Sequence, residues 1–395
     1  MLDLAGESDY SAYYTIFESY LQLAEWKMKI LFIEPYDGGS HKAFREAIMA
    51  RSRHEVMSLT LPARFWKWRM RSAALWFADR IKAEGLTADL IVCSDYLNVA
   101  DFRGLLPAPL DRAPVVLYMH ENQMTYPLSP EEEFDFHFGF TNILSCLAAD
   151  RVVFNSNFHR EIFLESLSKY LGRMPEGVPK DIRPRIETRS CVLPVGLERE
   201  PMGAHPGSFP VGQSKGPDGP VLLWNHRWEF DKRPEWLVQA LLTLADEGLP
   251  FRIHLLGEVR QRKSTFASLQ ERLGSRVLEF GHLPNRSDYD QILESSDVVI
   301  SCAAQEYFGI SVAEAIHAGC YAVLPRDQVY PSLYGEQCAG HHLYDGPDGL
   351  TSLLRDLIKG DLVHDCDLPA SCNDYCWSLL IDRYDELFED VESRR

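Results

Sequence analysis

Two short runs decide how the chain folds: Ser296-Asp297-Val298-Val299-Ile300-Ser301, and then Gln305-Glu306-Tyr307-Phe308-Gly309-Ile310-Ser311-Val312-Ala313-Glu314. The first is a brief apolar, β-branched run entered from a polar turn, the pattern of a buried strand. The second ends in an apolar pattern of helical period, so a strand leads through a loop into a helix. Glu306 then lies at the carboxyl end of a strand, where open α/β sheets bind ligands. Gly309 allows close approach of the backbone to a ligand. Ile310 and Ser311 open a helix whose unpaired N–H groups can hold a phosphate. Glu314 follows one turn inside, on the same side. A carboxylate for sugar hydroxyls, an amide nest for phosphate and a second carboxylate for a ribose would suit a nucleotide-sugar. A strand–loop–helix with two surface glutamates is the plainer reading, and spacing alone leaves it open.

Outward from this stretch, β and α patterns alternate along the chain. In the first half, strands are predicted at Met28–Glu34, His54–Leu61, Leu90–Ser94, Val115–Met119 and Arg151–Asn155. Helices are predicted at Ala43–Ser52, Ala73–Glu84 and Phe140–Ala149. The second half adds strands at Val221–Trp224, Phe251–Leu256, Val277–Phe280, Val298–Cys302 and Tyr321–Pro325. Its helices are predicted at Pro234–Glu247, Phe266–Leu273, Asp288–Ser295 and Ile310–Ala318. Gly203–Gly219, rich in Gly and Pro, separates the two series as a flexible linker. The expected fold class is α/β: two Rossmann-like, doubly wound domains facing across a cleft. The expected division is an appendage at 1–27, a first domain at 28–202, the linker at 203–219, a second domain at 220–372, and a C-terminal helix and tail at 373–395. That last helix has Trp377, Leu380, Ile381, Tyr384, Leu387 and Phe388 on one face. It is expected to cross back to the first domain. Met28 reads as an alternative start.

The 395 residues suit two domains, and 46% hydrophobic content suits a globular chain. No apolar run reaches the ~18–20 residues of a membrane span. Met1 to Trp26 lacks the basic and apolar regions of a secretory signal. Nine scattered cysteines, an odd number, form no disulfide framework and point to a reducing cytoplasm. The net charge of −18 argues superficially against nucleic acid, but residues 1–27 and 341–395 together hold −12 of it. The middle of the chain is only mildly acidic, and net charge speaks to steering rather than to a site.

Chemistry-bearing residues recur at other predicted strand ends. Trp224-Asn225-His226-Arg227-Trp228-Glu229-Phe230-Asp231-Lys232-Arg233-Pro234 leads from a strand into a helix, with Pro234 suited to the first turn. Arg227 and Lys232 could both face the cleft, where fixed cations stabilise a departing diphosphate. A basic surface loop is the alternative. Gly38-Gly39-Ser40-His41 follows the first strand, and His120 follows the strand Val115–Met119.

The Arg227/Lys232 pair, followed by Glu306 and Glu314 in a two-Rossmann chain, resembles the retaining GT-B glycosyltransferases of family 4. The resemblance covers residues 29–390. Four stretches of the first half narrow it: Glu34-Pro35-Tyr36-Asp37-Gly38-Gly39-Ser40-His41, Thr60 to Arg69, Ser72-Ala73-Ala74-Leu75, and His120-Glu121-Asn122-Gln123-Met124-Thr125-Tyr126-Pro127. They resemble the tRNA-queuosine α-mannosyltransferases. The resemblance implies transfer of mannose from GDP-mannose to the cyclopentene diol of queuosine at the wobble position of tRNA, with tRNA for aspartate expected. It implies that Arg227 and Lys232 clamp the diphosphate and that Glu306 binds mannose hydroxyls. The amides of Phe308, Gly309, Ile310 and Ser311 would touch sugar and phosphate, and Glu314 the ribose diol. Gly38, Gly39 and Ser40 would approach the diphosphate, with His120 near the reacting sugar. Glu121, Asn122, Gln123, Trp66, Lys67 and Arg69 are the implied acceptor contacts. Such enzymes are thought to use front-side attack, the leaving phosphate taking the acceptor proton. No carboxylate nucleophile is then needed, Glu121 being the one conceivable candidate. Neither cofactor nor catalytic metal is expected, and no obligate protein partner. One departure is that Asn225-His226 precedes Arg227 and Arg233 follows Lys232, where the family often has glycine, or asparagine after the lysine.

Three other features remain. Arg64 to Arg71 mixes cations with aromatics, either an RNA-stacking surface or an amphipathic segment with buried tryptophans. Arg160 to Arg189, with seven bases against five acids and three prolines, reads as an irregular insertion that is either an RNA-contacting or a solvated loop. His364, Cys366, Cys372 and Cys376 have metal-ligand residue types but no zinc spacing, so they read as core. The competing functional readings are a GT-B enzyme with a glycan, lipid or small-metabolite acceptor, and an inactive nucleotide-sugar- or RNA-binding protein.

Overall fold

The computed structural model describes residues 27–129, 131–201, 218–258, 263–335, 341–362 and 368–394. The appendage, most of the linker, and His364 and Cys366 of the cysteine-rich cluster lie outside the described residues. Two six-stranded sheets organise the rest. In the first, β1 (Lys29–Asp37), β2 (Glu55–Pro62), β3 (Leu90–Ser94), β4 (Val115–Met119), β5 (Arg151–Phe154) and β6 (Ser190–Val192) lie in the order β2-β1-β3-β4-β5-β6. In the second, β7 (Val221–Asn225), β8 (Arg252–Leu256), β9 (Val277–Gly281), β10 (Val298–Ile300), β11 (Tyr321–Pro325) and β12 (Leu343–Tyr344) lie in the order β12-β11-β10-β7-β8-β9.

Every strand pairing among the described residues is parallel. Parallel sheets are covered by helices on both faces, so their strands run as continuous apolar stretches. Val115–Met119 (VVLYM) and Tyr321–Pro325 (YAVLP) are buried at every position. Each sheet reverses its winding once, between β1 and β3 and between β7 and β10. Such a reversal opens a crevice at the carboxyl ends of the strands, because the flanking crossover helices diverge to opposite faces.

Helix Trp377–Ser393 ties the second domain back onto the first. Its Asp385, which is buried, accepts hydrogen bonds from Ser52 Oγ at 2.6 Å and from the Arg53 amide at 2.9 Å. Tyr384 donates to the Pro194 carbonyl at 2.8 Å, and the Trp377 ring lies 5.7 Å from that of Phe44.

Two sequence expectations change. Arg160 to Arg189 is not an irregular insertion: helices Asn157–Leu171 and Ile182–Glu187 occupy most of it. Ser156 caps the first by accepting the His159 amide. Arg189 donates to the Leu147 and Ala149 carbonyls at the C-terminal end of helix Phe136–Ala148. Its prolines fall between or at the start of these helices, which hid the helical period. The helix expected from Ala73 begins at Trp66. The alternating aromatic and basic residues of its first turn obscured the apolar stripe, which starts at Met70.

Candidate functional site

The two winding reversals face each other, and a cavity of about 330 Å³ lies between them. On the second-domain side, β7 ends at Asn225, and a 3-10 turn over Phe230–Lys232 brings Lys232 back under the cavity. Arg233 takes a left-handed conformation (φ 45°), which lets Pro234 start the next helix. Lys232 is buried. Its Nζ donates to the Gln305 carbonyl at 2.7 Å and pairs with Asp231 Oδ2 at 3.1 Å and Glu306 Oε2 at 3.3 Å. Burial would strip the proton from Lys232, but the charges of Glu306 and Asp231 outweigh it and raise its pKa. Burial likewise opposes ionisation of Glu306, and the neighbouring Lys232 overcomes it, lowering the Glu306 pKa.

Glu306 Oε1 accepts the Gly309 amide at 3.1 Å, so one carboxylate links the lysine to the start of helix Ile310–His317. Gly309 has φ 80°, and a Cβ there would stand 3.3 Å from Glu306 Cγ. A side chain at 309 would therefore strain the backbone and push the carboxylate off the lysine. Phe308, Gly309, Ile310 and Ser311 line the cavity beyond it. Arg227 also lines it, 43% exposed, with Nη2 3.5 Å from Glu229 Oε2.

The first-domain side is built from the ends of β1, β3, β4 and β5. Glu34 is wholly buried at the end of β1. Its Oε1 accepts from the Tyr36 amide and from Ser94 Oγ, both at 2.8 Å, and its Oε2 lies 3.3 Å from His41 Nδ1. Burial would lower the His41 pKa, but the charge and hydrogen bond of Glu34, aided by Asp95 and Glu121, lift it to about 9. The His120 ring lies 4.0 Å from that of His41, and its Nε2 has no hydrogen-bond partner among the described residues. Burial and the charge of His41 push the His120 pKa well below its usual range, so the ring is neutral. The His120 amide donates to Asp95 Oδ1 at 2.9 Å. Burial, opposed by His41, moves the Asp95 carboxyl up to about 7. Gly38, Gly39 and Ser40 line the same side. A Cβ on Gly38 would collide with the Ala63 methyl, so this loop needs glycine for packing.

Glu34, His41 and His120 are the described residues close enough to share a cation, their candidate ligand atoms within 4.8 Å of one another. Glu34 Oε1 is taken by Tyr36 and Ser94 and Oε2 by His41, so the three side chains form one hydrogen-bonded group.

Several expected site residues sit elsewhere. Glu314 does not line the cavity. Its Oε1 pairs with Arg286 Nη1 at 2.6 Å and its Oε2 accepts from Tyr289 OH at 3.3 Å. The helix turns its carboxylate toward helix Arg286–Ser295. Asn122 is fully buried. Its Oδ1 accepts from the Met124 and Thr125 amides and its Nδ2 donates to Tyr307 OH at 3.0 Å, so it shapes the loop after β4. Gln123 braces Glu121 with Nε2 to Oε1 at 2.8 Å. Trp66, Lys67 and Arg69 lie off the cavity. Trp66 packs on Phe138 and reaches toward Tyr96, Lys67 pairs with Glu132 at 2.9 Å, and Arg69 donates to the Pro62 carbonyl at 3.2 Å. Only Glu121 of the expected acceptor contacts lines the cavity. Cys372 and Cys376 are buried, in keeping with core positions.

Other residues at the site were not singled out from sequence. Tyr307 stacks on His159 with ring centroids 4.0 Å apart, and its OH meets Thr125 Oγ1 at 2.8 Å. Tyr126 OH donates to Asp231 Oδ2 at 3.3 Å. Both cross between the domains, and no linear spacing announces a contact between loops some 105 or 182 residues apart. Asp95 and Tyr96 were equally silent, since each is a single residue just past a strand end, and Glu34 was quoted only as the start of a longer stretch.

Two facing sheets with paired cations and a carboxylate at their joint crevice define a glycosyltransferase of the GT-B architecture. Solved structures share this fold. Sucrose-phosphate synthase from Thermosynechococcus elongatus superposes with a TM-score of 0.66 at 15% identity, covering 93% of this chain and 100% of that one. Anabaena HepE, solved in complex with UDP, superposes with a TM-score of 0.61 at 16% identity, covering 92% and 100%. Residues 210–374 match the model of glycosyl transferases group 1. Residues 29–197 match the N-terminal domain model of tRNA-queuosine alpha-mannosyltransferase. A Drosophila melanogaster relative named tRNA-queuosine alpha-mannosyltransferase is 38% identical over 339 residues, 84% of this chain and 88% of that protein. The chain belongs to the tRNA-queuosine α-mannosyltransferase family.

Proposed function

We propose that this chain moves mannose from GDP-mannose onto the cyclopentene diol of queuosine at the wobble position of tRNA, with retention of configuration. The observation that carries the reading is the Lys232–Glu306–Gly309 unit facing His41 and His120 across one cavity. Family membership supplies the acceptor. In this reading Arg227 and Lys232 face the oxygens of the departing diphosphate, where fixed cations in a dry site stabilise developing charge most. Glu306, kept ionised by Lys232, accepts hydrogen bonds from the hexose hydroxyls. The bond from the anomeric carbon to phosphate breaks as the bond to the acceptor oxygen forms on the same face. The departing phosphate oxygen takes the acceptor proton. Neutral His120 borders the reacting carbon without adding charge.

Fixed cations and a helix N-terminus fill the role of a divalent ion, so turnover is expected to survive excess chelator. The proposed partners are a nucleotide-sugar and tRNA for aspartate in the cytoplasm. Among the described residues no helix is long and apolar enough to cross a membrane. The test is incubation with labelled GDP-mannose and tRNA that carries or lacks queuosine. Label should appear in the queuosine-bearing tRNA alone and vanish in Glu306→Ala. Equal labelling of both tRNAs would refute the acceptor, and full activity of the variant would remove Glu306 from the site.

A further inference from the structure

The two sides of the cavity differ in charge balance. On the second-domain side each cation has a carboxylate beside it: Lys232 has Asp231 and Glu306, and Arg227 has Glu229. On the first-domain side Glu34, Asp95 and Glu121 stand against one basic group, His41, which Glu34 already engages. Glu121 is the one of these three carboxylates that lines the cavity. Two neutral donors hold its Oε1, Tyr96 OH at 2.5 Å and Gln123 Nε2 at 2.8 Å. Among the described residues no cation lies within ion-pair distance of it, although its charge is felt by Arg227 across the cavity and by His41. The rings of Tyr36 and Tyr96, with centroids 5.0 Å apart, form the wall next to it.

An oriented carboxylate beside aromatic faces is the arrangement that takes an alkylammonium: the charge pairs with oxygen and the N–CH₂ groups lie against the rings. A phosphate would be repelled there. We infer that Glu121, with Tyr36 and Tyr96, forms a cation subsite that receives a protonated amine of the acceptor next to the hydroxyl to be glycosylated. The inference rests on the queuosine reading and deepens it. Queuosine joins its cyclopentene diol to the base through a secondary amine that is protonated at neutral pH. Pairing at Glu121 would place the diol a few bonds further on, toward His120 and the donor sugar. Acceptors with the same diol and no amine would then be disfavoured, and Glu121 acts as a specificity-determining residue, not as a nucleophile.

The experiment compares two anticodon stem-loops in the full-length enzyme. One carries queuosine; in the other an ether oxygen replaces the amine nitrogen. The unsubstituted enzyme should use the amine acceptor with kcat/KM at least about tenfold higher, the scale of one hydrogen bond to a charged group. Glu121→Gln keeps an oxygen for Tyr96 and should bring that ratio close to one, mainly through the acceptor KM, with the KM for GDP-mannose unmoved. Glu121→Asp should recover part of the ratio. Equal use of both acceptors by the unsubstituted enzyme overturns the subsite without touching the proposed function, and this comparison stands even if the variants do not fold. An unaltered ratio in folded Glu121→Gln also overturns it. Absence of transfer to either stem-loop refutes the queuosine reading itself, and the subsite with it.

Discussion

Replacing Lys232 with Met keeps a long, buried side chain and removes one charge. Its Nζ holds the Gln305 carbonyl at 2.7 Å, Asp231 at 3.1 Å and Glu306 at 3.3 Å, with the side chain 7% exposed. The variant leaves two carboxylates without the cation between them. Breaking a buried pair on one side costs about 3–5 kcal/mol, because the remaining charge stays desolvated. At roughly 2–4 °C per kcal/mol for a domain of this size, the second domain should lose about 6–20 °C in Tm. Loss of one fixed donor at a developing oxyanion should also lower kcat by about 10²–10³. The two effects separate in a double variant. Adding Glu306→Gln removes the stranded charge, so Lys232→Met/Glu306→Gln should regain at least about 1 kcal/mol of stability over Lys232→Met and none of its turnover. The assays are a thermal scan and steady-state transfer of labelled mannose. A Tm within about 1 °C of the unsubstituted protein would refute the buried-pair argument, and a kcat within about threefold would remove Lys232 from the diphosphate clamp.

The pKa of His41 is raised from 6.5 to about 9 by Glu34, with Asp95 and Glu121 adding to it against burial. Its stabilisation is whole below the unfolded value and is lost as pH rises through about 9, so His41→Gln should cost about 3 kcal/mol near pH 6 and much less near pH 10. Denaturant titrations of both proteins at the two pH values check this; a loss that does not shrink with pH contradicts it. Asp385→Ala strands Ser52 Oγ and the Arg53 amide, and should lower stability by about 1–3 kcal/mol in the same titration. Phe65 and Trp68 are 70% and 66% exposed beside Arg64 and Lys67, and Trp66 between them reaches toward Tyr96 of the cavity wall. Phe65→Ala/Trp68→Ala should raise the KM for tRNA about tenfold and leave that for free queuosine nucleoside unchanged; an unchanged tRNA KM returns these rings to a role without RNA.

Strand positions were legible because parallel strands buried on both faces leave continuous apolar runs, and Leu90–Ser94, Val115–Met119 and Tyr321–Pro325 match their predicted limits. Elements without such runs were not: the three-residue β6 (Ser190–Val192), the two-residue β12 (Leu343–Tyr344) and helix Gly346–Lys359 passed unnoticed. The basic region from Arg160 to Arg189 was misread because charge and prolines masked two helices, and Arg189 after them is spent on the carbonyls that end helix Phe136–Ala148.

Residues at strand ends were likewise readable as site candidates. Glu306, Lys232, Arg227, His120 and Gly38–Ser40 do converge on one cavity. Direction was not readable. Glu314 lies eight positions from Glu306, but the helix aims its carboxylate at Arg286 and Tyr289. Asn122, one residue from the cavity-lining Glu121, is spent on its own loop and on Tyr307. Local pattern determines which elements form, since strand and helix period are properties of neighbouring residues. Which side chains meet across the cleft depends on helix rotation and on contacts between distant loops. Those are decided only when Tyr126 meets Asp231, Tyr307 meets Thr125, and helix Trp377–Ser393 locks one sheet against the other.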